Sequence, residues 1–337
     1  MKSSLFNKKI IILIVLTLLL LLLMIFSVTI GSVKISLTTI ISMFKGGHVD
    51  SASRVIILRL RLPRIVMAVI TGGTLSIVGV SLQALFRNPL ADPYIIGISS
   101  GAALGATSTF FLQRIVGKFF VFYLPLFSFF GALVTMLLVY RLSLLGRRVI
   151  IENLLLSGVI VGFIASALIT LIIAFAGREV HDILFWLMGD LSHVKWENIW
   201  FILGPIIIAI YLLLHFSVEL NAISLGEEVA FNLGIDPERL KKIIFFITSF
   251  LIGLIVSFSG IIGFVGLVIP HIIRLLVGAD HKIVMPASIL GGSIFLLLCD
   301  DIARTVVAPS ELPIGVITSL IGAPLFIYLL KKVGYNG

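Results

Sequence analysis

A long apolar run near the start of the chain constrains its fold most. It extends from Ile10 to Phe26 and reads IIILIVLTLLLLLLMIF. A helix that crosses the hydrocarbon core of a membrane needs about 20 residues of this kind. The run is longer than the roughly 7–15 apolar residues of a secretory signal peptide, and no small-x-small cleavage site follows it. We therefore expect a retained first transmembrane helix.

The composition extends this prediction to the whole chain. Hydrophobic residues make up 59% of the sequence and charged residues only 12%, whereas a soluble domain carries about a quarter charged residues. The net charge of +9 is typical of a membrane protein that keeps lysine and arginine on its cytoplasmic side. We expect an integral membrane protein in contact with lipid and with no nucleic-acid partner. The single cysteine, Cys299, excludes an internal disulfide.

The fold class predicted from these patterns is an all-α polytopic membrane protein of about ten transmembrane helices. We expect residues 1–337 to form a single transmembrane domain, with an outer first loop at about 31–62 and an inner loop at about 217–240. The predicted spans are 10–30, 63–84, 94–112, 120–140, 152–176, 198–216, 241–258, 261–277, 285–299 and 313–331.

The lysines and arginines in alternate loops indicate the orientation. With both termini in the cytoplasm, 14 of these residues lie inside and 11 outside, and six of the outer ones lie in the first outer loop. That loop ends in the stretch ILRLRLPRIV, which contains Arg59, Arg61 and Arg64. The stretch is the main exception to the positive-inside rule and therefore requires an explanation of its own.

The inner loop reads SVELNAISLGEEVAFNLGIDPERL from Ser217 to Leu240. Ser224 followed by Glu227 predicts a capping box at the start of a short helix, and Gly234 is placed to end that helix. Asp236 before Pro237 predicts the cap of a second helix. An apolar face left on such a loop favours a docking surface for a cytoplasmic subunit over an ordinary solvated hairpin.

Motifs for catalysis are absent from the sequence. It contains no GxxxxGK[ST] phosphate loop, no HExxH motif and no Gly-x-Ser-x-Gly elbow. We therefore expect a transport subunit without its own catalytic activity or cofactor, whose energy comes from a partner or from an ion gradient. No predicted span contains the chain of acidic residues typical of a proton-driven pump, which counts against an ion-coupled carrier.

Three long stretches and the inner loop resemble one family of transporters. The stretches are LRLPRIVMAVITGGTLSIVGVSLQALFRNPLADPYIIGISSGAALGA (60–106), SGIIGFVGLVIPHIIRLLVGADHKIVMP (259–286) and CDDIARTVVAPSELPIGVITSLIGAPLFIYLLKK (299–332). They are similar to the iron-chelate uptake permeases of type II ABC importers, and LGEEVAFNLGID matches the region between the sixth and seventh helices of those permeases. The resemblance covers the whole chain in order.

The resemblance implies a complete importer around this chain. It implies a homodimer of ten-helix subunits with two ATP-binding cassette subunits below it, in which ATP and Mg²⁺ bind. A periplasmic or lipid-anchored substrate-binding protein would dock above. The implied location is the cytoplasmic membrane of a bacterium or archaeon, with an iron-siderophore as the first cargo and haem or cobalamin next. A small oxyanion such as molybdate, or an ion-coupled secondary transporter, remains the alternative.

The resemblance also assigns roles to particular residues. Arginines at the outer ends of the helices receive acidic residues of the binding protein in this family, and they match Arg61, Arg64 and Arg304. The inner gate of the family matches Ile151, Glu152 and Asn153, although the cobalamin permease has small hydroxyl residues there. The coupling element that contacts the ATPase matches Ser224, Leu225, Gly226, Glu227, Glu228, Ala230, Leu233 and Gly234.

Overall fold

The structure is a computed structural model that describes residues 2–31, 33, 35–45, 49–116, 122–146 and 148–334. Fifteen α-helices account for most of the described residues. The first eight are α1 (Lys2–Thr29), α2 (Leu37–Phe44), α3 (Ser51–Val55), α4 (Leu62–Leu85), α5 (Ile98–Val116), α6 (Leu124–Ser143), α7 (Ile151–Ala176) and α8 (Val180–Leu187). The others are α9 (Trp196–His215), α10 (Ser217–Ser224), α11 (Glu227–Asn232), α12 (Pro237–Ser259), α13 (Val265–Val277), α14 (His281–Ala303) and α15 (Ile314–Gly334).

Short elements connect some of these helices. A π-helical turn, Ile56–Arg61, joins α3 to α4, and two 3₁₀ turns, Pro93–Ile96 and Gly177–Glu179, precede α5 and α8. Strands β1 (Leu144–Leu145) and β2 (Arg148–Val149) pair antiparallel as a small hairpin directly before α7.

The ten predicted spans correspond one to one to helices of the structure. Seven helical segments are long and apolar enough to cross a membrane, and two shorter apolar helices, Val265–Val277 and Ile314–Leu329, lie nearer the C-terminus. Helix α5 completes the set. The all-α polytopic class is therefore confirmed. The start of the predicted span 120–140 lies outside the described residues, and α6 is described from Leu124.

The predicted first outer loop is more structured than the sequence indicated. Within 31–62 the chain forms α2, α3 and the π-helical turn, and the last two continue into α4 as one segment from Ser51 to Leu85. Asp50 caps this segment, because its carboxylate accepts the N–H of Ser53 at 2.9 Å. Arg59, Arg61 and Arg64 of the stretch ILRLRLPRIV therefore lie on a helix rather than in a loop.

Helix α4 lies at the centre of the bundle, where nearly all of its residues from Pro63 to Leu85 are buried against α14, α13 and α12. Glycines allow this close approach. A Cβ on Gly72 would meet the backbone of Gly292 in α14, and a Cβ on Gly79 would meet the backbone of Gly266 in α13. In lipid there is no hydrophobic driving force between helices, so close packing of one backbone against another stabilises such crossings, and small residues permit it.

Two breaks in the helical backbone meet inside the bundle, and side chains satisfy their polar groups. The Tyr94 hydroxyl donates to the carbonyl oxygen of Ile262 at 2.6 Å and accepts the N–H of Ile262 at 3.0 Å. The Gln83 side-chain amide donates to the carbonyl oxygens of Gly266 at 3.2 Å and Leu267 at 3.3 Å. Because lipid offers no hydrogen bonds, irregular backbone inside a membrane requires partners of this kind.

We predict that Gly79→Ala destabilises the protein by about 1–3 kcal/mol, because the added methyl group overlaps the backbone of α13. Gly204→Ala in α9 is the control, since nothing lies within 4 Å of a Cβ at that position and alanine favours a helix. The measurement is thermal unfolding of both variants in detergent. Equal melting temperatures for the two variants would contradict the role assigned to the α4–α13 crossing.

Candidate functional site

The three arginines predicted to receive a binding protein lie together at the outer end of the bundle, but they are not free. Arg61, Arg64 and Arg304 are all buried, and Arg64 is only 7% exposed. Each guanidinium already contacts oxygen atoms of this chain. The expectation of open positive charges on the rim is therefore corrected, while their part in docking stays a prediction.

One buried carboxylate, Asp300, holds two of the arginines. Its Oδ1 lies 2.8 Å from Nε of Arg64, and its Oδ2 lies 3.1 Å from Nε of Arg304. The i,i+4 ion pair between Asp300 and Arg304 is the one that their spacing indicates. Arg64 also contacts Glu311, and Arg304 contacts Asp301. A neutral set of three arginines and three carboxylates results, with Arg61 as the third cation; we call it the outer charge cluster.

The outer charge cluster also fastens the first helix to the bundle. Ser27, near the end of α1, donates its hydroxyl to Asp301 at 2.6 Å and accepts a hydrogen bond from Arg304 at 2.7 Å. Arg61 donates to the carbonyl oxygen of Val28 at 2.7 Å. These bonds join α1 to the π-helical turn before α4 and to the end of α14. Glu311 differs from the other two carboxylates, because 36% of its side chain is exposed.

The inner loop forms two short helices, α10 and α11, with one error in the predicted caps. Ser224 is the last residue of α10 and donates its hydroxyl to the carbonyl oxygen of Leu220 at 2.7 Å, so the predicted capping box with Glu227 is wrong. Gly226 is the N-cap residue of α11 instead. Gly234, with φ of +82°, ends the helix as predicted, and Asp236 caps α12 through the N–H groups of Glu238 and Arg239.

The inner loop exposes a strongly apolar surface. Phe231 is 70% exposed and Leu225 is 74% exposed, and Val229 and Leu233 are exposed beside them. Ala230 is the exception in the predicted face, because it is fully buried. We call Leu225, Val229, Phe231 and Leu233 the inner apolar knob.

Two polar contacts hold α10 to the turn that begins α14. The Asn221 side chain donates to Asp280 at 2.9 Å and accepts the N–H of His281 at 2.9 Å. Burial acts to raise the pKa of the Asp280 carboxyl, but hydrogen bonds from Asn221 and from the N–H of Lys282 outweigh it, and the pKa lies below its usual value. The link therefore contributes stability at neutral pH, and this contribution is lost as the pH falls through the lowered pKa.

Two of the predicted coupling residues, Glu227 and Glu228, and two of the predicted gate residues, Ile151 and Glu152, line one common cleft at the inner end. The cleft has a volume of about 860 Å³ and lies between α11, the start of α12, the hairpin and the start of α7. Glu227 and Glu228 line it on one side, and Ile151 and Glu152 line it on the other. The sequence motifs indicated these two groups separately, whereas the fold places them face to face. Asn153 is not part of the lining.

Lys241 is the residue in this cleft that the sequence pattern did not single out. It counted only as one positive charge on the cytoplasmic side, yet its side chain is buried and its ammonium lies 2.6 Å from Glu238 and 3.0 Å from Glu227. The i,i+3 spacing of Glu238 and Lys241 was the one available signal, and it did not indicate the contact with Glu227.

Comparison with known proteins agrees with this arrangement. Residues 19–332 match the family described as the FecCD transport family. The chain belongs to the FecCD transport family. It is therefore a multi-pass membrane permease of the metal-chelate and cobalamin type of ABC importer.

Individual FecCD relatives are similar over most of their length. The chain is 40% identical to the cobalamin import system permease protein BtuC of Halobacterium salinarum, over 84% of this chain and 75% of the relative. It is 40% identical to the uncharacterized ABC transporter permease protein YvrB of Bacillus subtilis, over 93% of this chain and 91% of the relative. A solved structure, "An inward-facing conformation of a putative metal-chelate type ABC transporter", is 36% identical with a TM-score of 0.84, covering 95% of this chain and 99% of that chain.

We predict that Asp300→Asn destabilises this FecCD permease by about 3–5 kcal/mol, because it leaves two buried guanidinium groups without their shared counter-charge. Glu311→Gln is the control and should cost far less, since its side chain is partly exposed to solvent. Unfolding of both variants in detergent micelles measures the difference. Equal losses would show that Asp300 does not hold the cluster together.

Proposed function

We propose that this chain is the membrane-spanning subunit of an importer for a corrinoid such as cobalamin, working as a homodimer with partner ATPases and a binding protein. The family match over residues 19–332 carries the proposal. ATP and Mg²⁺ bind in the partner subunits, and the 337 residues act as one permease domain. The relative in Halobacterium, which is named as a cobalamin permease, supports this choice of cargo over the iron-siderophore.

The exposed side chains of helix α7 support a homodimer with a translocation path along its two-fold axis. The helix is spanning in length, yet it exposes Glu152, Ser166 and Thr170 together with large apolar side chains such as Phe163. The Glu152 carboxylate lines the inner cleft, and the Thr170 hydroxyl donates to the carbonyl oxygen of Ser166 at 2.9 Å. The Ser166 hydroxyl on the same exposed face gains nothing from facing lipid, because hydrocarbon offers no hydrogen-bond partners. A second copy of α7 across a shared path would surround these groups with protein and water.

The inner apolar knob supports the contact with an ATPase. Four large apolar side chains on a water-facing loop form a patch that soluble surfaces seldom expose. Glu227 and Glu228 lie next to them at the rim of the cleft. A partner with an apolar recess and basic residues around it fits this surface, and we assign that place to the ATPase.

The outer charge cluster supports docking by exchange of carboxylates. Glu311 already contacts Arg64 in the way an incoming carboxylate would, and it is the most exposed acidic member of the cluster. A carboxylate of the binding protein would replace Glu311 on Arg64, so docking breaks one ion pair and forms another. Such exchange fixes the register of the partner more than it adds affinity.

The test of the function is uptake into proteoliposomes that contain the chain, its ATPase and its binding protein. We expect cyanocobalamin to accumulate only when ATP and both partners are present. A ferric siderophore supplied in parallel tests the cargo. If the siderophore accumulates and cyanocobalamin does not, the chain is still part of an ATP-driven importer, but its cargo is a siderophore rather than a corrinoid. Uptake driven by a proton or sodium gradient without ATP would overturn the function.

For docking, we predict that Glu311→Gln tightens binding of the binding protein several-fold, because Arg64 loses a competing carboxylate worth about 1 kcal/mol. Glu197→Gln is the control, since Glu197 is an exposed carboxylate at the start of α9. Binding is measured on lipid nanodiscs at low and high salt. Unchanged affinity at both salt concentrations would rule out the exchange.

A further inference from the structure

The ammonium group of Lys241 has an environment that explains its burial. The residue is only 4% exposed, at the first turns of α12. Three oxygen atoms surround its nitrogen: Glu238 at 2.6 Å, Glu227 at 3.0 Å and the carbonyl oxygen of Val149 at 3.3 Å. An ammonium has three hydrogens to donate, so this set matches its full capacity.

These three oxygen atoms come from three different segments. Glu227 is the first residue of α11, Glu238 lies in the first turn of α12, and Val149 ends strand β2 of the hairpin. Glu238 adds a second bond to the hairpin, because its other carboxylate oxygen accepts the N–H of Val149 at 2.8 Å. Both backbone groups of Val149 are therefore held by the pair of Glu238 and Lys241.

The hairpin leads directly into the helix that faces the proposed path. Val149 is followed by Ile150 and then by Ile151, the first residue of α7. The carbonyl oxygen of Ile150 accepts the N–H of Leu154 at 2.9 Å, so the helix begins without a flexible linker. A displacement of Val149 therefore moves the start of α7 along with it.

We propose that Lys241 is a positioning residue that transmits movement of α11 to the start of α7. This inference rests on the proposed function, in which an ATPase contacts α11. A buried ammonium cannot leave its carboxylates without a large loss, so α11, the start of α12 and the hairpin move as one unit. Helix α10 is held separately, through Asn221, to the start of α14.

The first experiment needs no partner protein. Hydrogen–deuterium exchange is measured on the purified chain for residues 143–151 and, as an internal reference, for the buried helix α4. We expect Lys241→Gln and Glu238→Gln each to speed exchange in 143–151 at least tenfold, with α4 unchanged. Lys282→Gln, which removes an exposed lysine at the inner end of α14, should leave both regions as in the wild type. Unchanged exchange in 143–151 for both variants would overturn the proposal.

The second experiment separates transmission from a purely structural role. In proteoliposomes with both partners, Lys241→Gln should retain ATP hydrolysis within about twofold of the wild type and lose at least tenfold in uptake. Glu227→Gln removes the link to α11 and leaves the two bonds between Lys241, Glu238 and the hairpin in place, so it should lose uptake while exchange in 143–151 of the chain alone stays normal. The double variant with Lys241→Gln and Glu227→Gln should lose no more uptake than Lys241→Gln alone, since the two substitutions break the same connection.

The outcomes distinguish this inference from the proposed function. A wild-type protein without ATP-dependent uptake contradicts the importer, whereas the exchange measurement still reports whether Lys241 holds the hairpin. A wild-type importer in which Lys241→Gln transports normally contradicts the transmission. Parallel loss of hydrolysis and uptake in Lys241→Gln would also contradict it, because that result assigns Lys241 to supporting the ATPase contact rather than to transmission.

Discussion

The close contact of α4 with α13 and α14 is the constraint on which the rest of the structure depends. Glycine backbones meet at both crossings, so the helices approach more closely than side chains would allow. Helix α4 is thereby buried on all sides, and the shorter helix α13 is held against it although its backbone begins at a break. The side chains of Gln83 and Tyr94 can reach that break only because the helices lie so close.

Both ends of this rigid centre carry buried cations that bind parts of the same chain. At the outer end, Asp300 joins α4 to α14, and Ser27 adds α1. At the inner end, Lys241 joins α11, α12 and the hairpin before α7. Buried charges require paired partners, so each cluster favours one arrangement of its segments. The surfaces assigned to the binding protein and to the ATPase lie directly over these two clusters.

Particular residues show how far prediction from the sequence reached. The ten spans correspond to helices because apolar length is a local property, and Asp236 and Gly234 mark helix ends because caps act within one turn. The capping box at Ser224 was wrong because a serine hydroxyl bonds equally well to the preceding turn of its own helix. The pairing of Arg64 with Asp300 and Glu311 could not be predicted, because both carboxylates lie more than 200 positions from Arg64 in the chain.

The sequence by itself determined the class of protein and the family, since these depend on apolar run length and on long continuous motifs. Only the tertiary structure decided which charges face one another. It paired Arg64 with Asp300, and it placed Glu227, Glu228, Ile151 and Glu152 around one cleft with Lys241 in its wall. The physical reason is that an ion pair depends on distance in space, and only the packing of helices brings residues from distant segments within a few ångströms.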